Sequence, residues 1–481
     1  MTDIIRTEVA NKIISRKTDY TFHSATQSVC NECRKLINAQ RIIKNNKVYM
    51  RKFCPEHGHQ EALISSHAEW FCSNYARTAP DYRPENFKTE VKNGCPYDCG
   101  LCPDHQHHTC KAVVELTDDC DLNCPVCLVG KKGNSYLTLK KCEEIFDNYV
   151  NLEGGGAEAI TISCGEPTLH PDVLEVLKAA IKRKVNCFHL NTNGNKIAKD
   201  EAFVKELAKL EGNFYINLQF DGFSSEIWKS TRGTDLTNIK LKALEMLEKY
   251  NIKSQITMTV IKGVNEHQIE RILRMCLEKD FIKSFNIQPI VYTGNAADRV
   301  IYDPFDHITM PDVILALEEQ TNGLVKMSDW IVPCSPMCAA SCYVYIDSRD
   351  KIVPVKGMLK EEEYHEIVKN RPDATWELQS YYHSSKKSVE NNCCSNKILK
   401  PTKEITGKVM KIGIHAFMDS YTFDIERIMQ CCIHCLTPDG KIMPWCAYNH
   451  FYRSKDPRYA EKFSQSGYNV TPKEHHSISA I

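Results

Sequence analysis

Residues 120–130 read CDLNCPVCLVG, three cysteines at spacings of three and two, and what lies on either side of them decides the fold. Just before them, Lys111–Thr117 is a short apolar stretch of strand character. After them, apolar strands at Ala157–Ser163, Val185–Asn191, Phe214–Phe220, Ser254–Ile261 and Ser284–Val291 alternate with amphipathic stretches such as Leu139–Val150, Val173–Lys184 and Glu266–Leu277. Such alternation predicts a parallel sheet with helices outside it. Six units of this length suit an α/β fold, a partial (β/α)6 barrel whose reactive loops follow the strand C-termini. Cys120, Cys124 and Cys127 fall on that face, directly after the first strand.

The chain has 481 residues, more than one ordinary core absorbs, and 24 cysteines. A disulfide framework belongs to short secreted domains; here the thiols are grouped as C-x2-C and C-x3-C pairs, a spacing that points them at a shared ion. The opening MTDIIRTEVANKIISRK is broken by charges, and nowhere do about 18 apolar residues run together. The expectation is a cytoplasmic protein with no transmembrane segment, its thiolates held by metals. Lys+Arg and Asp+Glu both number 61 and the pI is about 7.2, which speaks against a nucleic-acid partner. Texture divides the chain into 1–92, short strands and loops; 93–110, a cysteine-rich loop; 111–300, the barrel; and 301–481, irregular again.

Three thiolates with no fourth nearby leave one corner of an iron–sulfur cluster open to an external ligand. A structural zinc site wants four ligands. Electron carriers fill all four iron corners, which counts against a multi-cluster electron-transfer or metal-sensing protein.

At this point the sequence resembles the radical S-adenosylmethionine (SAM) superfamily. SCGEP (163–167) after the second strand looks like that family's Gly-Gly-Glu-Pro, which implies that Glu166 meets the SAM amino group. LNTNG (190–194) resembles the segment that would place Thr192 and Asn193 on the SAM site. LQFDG (218–222), with Gln219 and Asp221, and TRG (231–233) resemble the fourth-strand motif and its turn, with Arg232 a partner for the SAM carboxylate. The resemblance implies a cluster on Cys120, Cys124 and Cys127 and reductive cleavage of SAM to a carbon radical. Two positions depart from the family: Val126 stands where an aromatic is usual, and Cys164 replaces the first glycine of the pair.

CNEC and CPEHG supply Cys30, Cys33, Cys54 and His57, a rubredoxin-like or zinc-knuckle set for one Zn or Fe ion, with Cys72 as the alternative fourth ligand. Cys95, Cys99, Cys102 and Cys110 are enough for a complete cluster. Together with PCSPMC (333–338) and the C-terminal cysteines, these features resemble a multi-cluster subfamily containing archaeal tetraether lipid synthase and proteins proposed to methylate a pterin in methanopterin synthesis. That resemblance implies a second auxiliary cluster on Cys334, Cys338, Cys431 and Cys446, and so three [4Fe–4S] clusters, SAM and one mononuclear ion. It implies formation or modification of a C–C bond on a small molecule or lipid, with a reductant such as flavodoxin or ferredoxin. A lipid substrate would put the protein at the membrane periphery. MQCCIHC (429–435) departs from the subfamily: Cys432 and Cys435 are extra thiols, open to a soft-ion reading in which a SAM-derived group such as 3-amino-3-carboxypropyl goes to trivalent arsenic, or to plain packing.

Overall fold

The computed structural model describes residues 18–75, 83–130, 133–333, 335–347, 351–356 and 408–453, and in these the strands gather into two sheets. The first is an antiparallel meander of β1 (Thr21–Val29), β2 (Leu36–Lys44), β3 (Lys47–Cys54) and β4 (Gly58–Ser65). Asn45 and Asn46 make the β2–β3 turn at φ 50° and 57°, the two positive values a two-residue hairpin demands and asparagine tolerates. With that turn at one end, the β1–β2 and β3–β4 connections meet at the other. They carry Cys30 with Cys33 and Cys54 with His57.

The second sheet is built on six parallel strands in chain order: β5 (Lys111–Glu115), β6 (Ala157–Ser163), β7 (Val185–Thr192), β8 (Phe214–Gln219), β9 (Ser254–Val260) and β10 (Ile282–Pro289). Each matches an expected strand to within two residues at either end. The tail beyond β10 is more regular than its composition suggests. β11 (Ala339–Ile346) and β12 (Ile352–Pro354) form an antiparallel edge; β13 (Met410–His415) joins parallel to β10, β14 (Ile433–Leu436) parallel to β5, and β15 (Ile442–Pro444) antiparallel to β14. The C-terminal region therefore flanks the barrel sheet on both sides.

Helices cover one face. The helix Leu139–Leu152 starts where Thr138 accepts from Lys141 N and buries Cys142, Ile145, Phe146 and Tyr149 on one stripe. Against such stripes lie Ile160, Ile162, Leu190, Ile216, Leu218, Ile256 and Ile287, all essentially buried in a single core, each worth about 1.5–3 kcal/mol. The sheet is curled. β5 and β13 stand six strands apart, about 29 Å at ~4.8 Å per strand if the sheet were flat. Yet Lys111 of β5 and Lys411 of β13 both act on the same two imidazoles, His189 and His415, whose proton affinity burial depresses first of all. No helix among the described residues is long and apolar enough to cross a membrane.

Candidate active site

The loops after the parallel strands converge on the cysteine trio. Asp121, inside the CDLNC loop, accepts from Asn193 Nδ2 at 2.6 Å and Asn195 Nδ2 at 2.7 Å, both from the loop after β7. Asn295, after β10, donates its backbone N–H to Cys127 O at 2.8 Å and its side-chain amide to Cys124 O at 3.0 Å. Glu166 N donates to Asp119 O at 2.7 Å. Gly165 lies so close to this loop that a Cβ there would stand 2.5 Å from Asp119 O and 2.6 Å from Thr117 O. Burial pushes the Cys120 thiol up to about 12 and the Cys124 thiol upward against the pull of Arg232. Thiols raised in this way, as at Cys120 and Cys124, become stable thiolates only beside a cation or cluster.

The residues expected to meet SAM surround the trio. Glu166 is buried; its Oε1 accepts from Thr168 Oγ1 at 2.6 Å and Thr192 Oγ1 at 2.7 Å, and its Oε2 from Asn193 N at 2.7 Å. Burial raises its pKa against those hydrogen bonds. Asp221, fully buried, takes a fork from Arg232, Nε to Oδ2 at 2.6 Å and Nη2 to Oδ1 at 3.0 Å. The Gln219 side-chain amide faces the same guanidinium, and with its oxygen turned toward it the amide accepts from Arg232. Lys240, absent from the sequence reading, is buried with Nζ donating to Asn193 O at 2.6 Å and Gln219 O at 2.8 Å, and burial lowers its pKa to about 8. It ties the β7 and β8 ends together. No motif marks it or Asp121; their roles depend on which loops meet.

Inside the curl, the strand residues that alternate with the apolar set are polar. Asn191 Nδ2 donates to Ser163 Oγ at 2.9 Å, and Asn217 Nδ2 to Asn191 Oδ1 at 2.7 Å. Thr161 Oγ1, Asn217 Oδ1 and Asn286 Oδ1 are buried without a hydrogen-bond partner. His415 is held neutral, its pKa lowered to about 3 by burial first and then by Lys411 and Lys111. Barrels of this type ordinarily fill the interior with Val, Ile and Leu.

In the N-terminal sheet, Cys30, Cys33, Cys54 and His57 place all four donor atoms within 4.8 Å of one another. Cys33 Sγ to Cys54 Sγ is 3.9 Å, and His57 Nδ1 is 3.5 Å from both Cys30 Sγ and Cys54 Sγ. A tetrahedral zinc with Zn–S about 2.3 Å and Zn–N about 2.05 Å has edges of roughly 3.8 Å and 3.6 Å, so the set fits one such ion. Cys72 packs against the core of Val48, Met50, Ala68 and Phe71, outside this group.

Among the cysteines expected to hold auxiliary clusters, Cys95, Cys99 and Cys102 lie within electrostatic reach of one another, and Cys431 within reach of Cys99. Cys110, expected with that trio, also lies beside Cys432, where the start of β5 pairs with the start of β14. Cys431 faces Cys446 and Cys338, while Cys334 lies outside the described residues. Cys432 and Cys435 do not converge: Cys435 is fully buried inside the curl near Cys164, away from the Cys110 group.

The chain matches the Radical SAM superfamily over residues 114–276 and the HMPTM N-terminal zinc ribbon domain over residues 22–66. It is 32% identical to the 7,8-dihydro-6-hydroxymethylpterin dimethyltransferase of Methanocaldococcus jannaschii, over 91% of this chain and 95% of that one. A probable GTP 3′,8-cyclase of Thermococcus kodakarensis is 30% identical over 32% of this chain and 49% of its own length. The crystal structure of Streptococcus suis SuiB bound to precursor peptide SuiA aligns with a TM-score of 0.39 at 15% identity, covering 75% of this chain and 68% of that one. The near full-length relative and the motif order together make this chain a member of the radical SAM superfamily, an enzyme of transferase type that uses SAM and a [4Fe–4S] cluster and carries an HMPTM-type zinc ribbon.

Proposed function

We propose that this enzyme forms a C–C bond by methylating a small polar heterocycle of the reduced-pterin class, bound on the inner face of the barrel. The observation that carries this reading is the polar lining of the curl, with orphaned oxygens on Thr161, Asn217 and Asn286. A buried polar atom left unpaired costs about 1–3 kcal/mol. Three such acceptors suit a ring whose edge carries N–H and amine donors; a lipid chain would leave all three unsatisfied. The pterin dimethyltransferase with which the chain is collinear supports the same class. The divergence of Cys432 and Cys435 removes the reason to prefer arsenic, since one soft ion needs both thiols in one place.

Within this reading Cys120, Cys124 and Cys127 hold the [4Fe–4S] cluster, which when bound supplies one electron to the SAM sulfonium. Arg232, anchored by Asp221 and Gln219, offers its remaining N–H groups to the SAM carboxylate. Glu166 holds the Asn193 backbone and, through Oε2, faces the amino group. Cys95, Cys99, Cys102 and Cys110 serve one auxiliary cluster and Cys334, Cys338, Cys431 and Cys446 another, and the ribbon set holds a zinc-class ion. Electrons come from a flavodoxin- or ferredoxin-type reductant.

Anaerobic incubation of the reconstituted enzyme with SAM, dithionite and a reduced hydroxymethylpterin, followed by mass spectrometry, tests the reading. A methylated ring is expected, and Asn217→Leu should cut ring methylation at least about tenfold while SAM cleavage persists, since one lost buried hydrogen bond is worth roughly 1.5 kcal/mol. Turnover on a glycerolipid or on arsenite, with none on the pterin, would overturn it.

A further inference from the structure

On the inner face of the curl, β13 carries a glycine between two long side chains. Ile412 and Ile414 lie in the core shared with the helices, so Lys411, Gly413 and His415 face the other way, into the curl. Gly413 pairs with Asn286 of β10 on one side and with Ser341 of β11 on the other. A Cβ built on Gly413 would stand 3.4 Å from Asn286 Oδ1, 3.8 Å from His415 Nε2 and 3.8 Å from Lys411 Cε, which are ordinary van der Waals contacts. Its backbone is not left-handed. Neither a special backbone conformation nor a crowded neighbour therefore requires glycine here, and alanine fits the strand as it stands. Glycine in mid-strand even weakens it, through the extra conformational entropy lost on folding.

A glycine inside a strand marks a bulge or a place where another backbone or a ligand comes close. The register of β13 with β10 and with β11 is continuous, so there is no bulge. The atoms nearest the Cβ position are all side-chain atoms, so no backbone crowds it. A ligand is the reason that remains, and an independent observation points the same way. Asn286 is 7% exposed, and its Oδ1, buried without a hydrogen-bond partner, stands at this same spot. Such an acceptor is costly to leave unmet and calls for an N–H. His415, held neutral by burial, brings an imidazole nitrogen beside it.

We infer, resting on the reading that the substrate is a reduced pterin, that its pyrimidine edge lies over Gly413 and gives its lactam N–H to Asn286 Oδ1, so that the bare Cα of Gly413 decides which rings are admitted. The chemistry of the ring sets this orientation. The pyrimidine half of a pterin has no C–H bond, because its carbons carry amine and oxo groups or fuse the two rings. Every C–H open to a radical belongs to the pyrazine half and its hydroxymethyl arm, and that half has to face the cysteine trio. The pyrimidine edge is then turned down into the curl. Asn286 lies three residues below the end of β10, about 10 Å at ~3.3 Å per residue, a depth comparable to the long axis of a bicyclic ring. The His415 imidazole and the Lys411 stem wall the seat on either side of the glycine.

The reconstituted full-length enzyme is titrated anaerobically with a reduced hydroxymethylpterin, and affinity, KM and melting temperature are compared with those of Gly413→Ala. A methyl group pushed into an occupied seat should weaken binding and raise KM at least about fivefold, while the ligand-free variant melts no lower than the wild type, because the Cβ fits the strand and glycine's entropy cost is removed. Unchanged affinity in Gly413→Ala, with the wild type turning over the pterin, overturns the inference and leaves the methylation reading standing. A variant that melts lower or does not fold also overturns it, since the glycine would then serve the strand and not the ligand. A second probe needs no variant: the same pterin methylated at its lactam N–H should bind the wild type at least about tenfold more weakly, and equal affinity overturns the assignment to Asn286. A wild type that neither binds nor methylates the pterin brings down the methylation reading, and this inference with it.

Discussion

In the ribbon, four donors come from residues 30–57, and the pairing of four short strands is enough to bring them to 3.5–3.9 Å. In the barrel mouth, three thiols sit on one loop held from outside: Asn193 and Asn195 grip Asp121, Asn295 grips the Cys124 and Cys127 carbonyls, and Glu166 N grips Asp119 O. The ribbon is a local product of turn chemistry and strand register. The mouth is assembled from strands spread over some two hundred residues, whose loops restrain the cysteine loop from outside. A closed site tolerates rearrangement elsewhere in the chain; an open one depends on it.

The sharpest way to break this contrast is Cys124→Ala. If the mouth works as a three-thiolate unit, SAM cleavage should fall by roughly three orders of magnitude or more, about 4 kcal/mol of barrier, while the ribbon keeps its ion. Production of SAM-derived fragments and zinc content, measured on one sample, give both readings. Loss of zinc together with activity would mean that the two sites are not independent.

Arg41→Ala tests how far the ribbon leans on the rest of the molecule. Arg41, 1% exposed, sends Nη2 to Asp424 Oδ2 and to Glu426 Oε2, each at 2.7 Å, and Nη1 to Tyr75 OH at 2.6 Å. Asp424 is itself fully buried and caps the helix Ile425–Met429 by accepting from Arg427 N. Removing one partner of a buried pair strands the other charge and costs about 3–5 kcal/mol. Denaturant unfolding should show a loss of that size with the ribbon ion still bound. A cost below about 1 kcal/mol would mean that ribbon and C-terminal region are only loosely docked.

The six central strands were legible because apolar alternation and spacing survive in single segments, and the ribbon ligands because both pairs sit in short loops of one hairpin set. β13 and β14 were not: each is short and largely buried, β14 lies among cysteines, and each becomes a strand by pairing with β10 or β5, far away in the chain. The same non-locality hid Lys240, whose partners are two backbone carbonyls on neighbouring loops, and the closeness of Cys110 to Cys432, which follows from register across the sheet. The polar lining of the curl was visible as individual asparagines and threonines, but nothing short of the strand pairing puts Asn191, Asn217 and Asn286 on one surface.

The smallest effect belongs to the departure in SCGEP. Cys164 and Gly165 both adopt left-handed backbone, at φ 65° and 58°, yet they are not equivalent. Gly165 has no room, because a Cβ there would press on the Asp119 and Thr117 carbonyls. Cys164, partly buried, carries a side chain and places its thiol near Glu115 and Cys435. A left-handed non-glycine residue costs about 1–2 kcal/mol. Glycine would relieve that but adds roughly 0.5–1 kcal/mol of unfolded-state entropy and gives up the thiol's packing. Cys164→Gly should therefore shift stability by less than about 1 kcal/mol in either direction and leave SAM cleavage within about twofold, whereas Gly165→Ala should dislodge the cysteine loop and abolish cleavage. Thermal unfolding and fragment release on the two variants separate backbone need from side-chain need. A tenfold loss of cleavage in a stable Cys164→Gly protein would show that the thiol itself, and not the turn it occupies, serves the mouth.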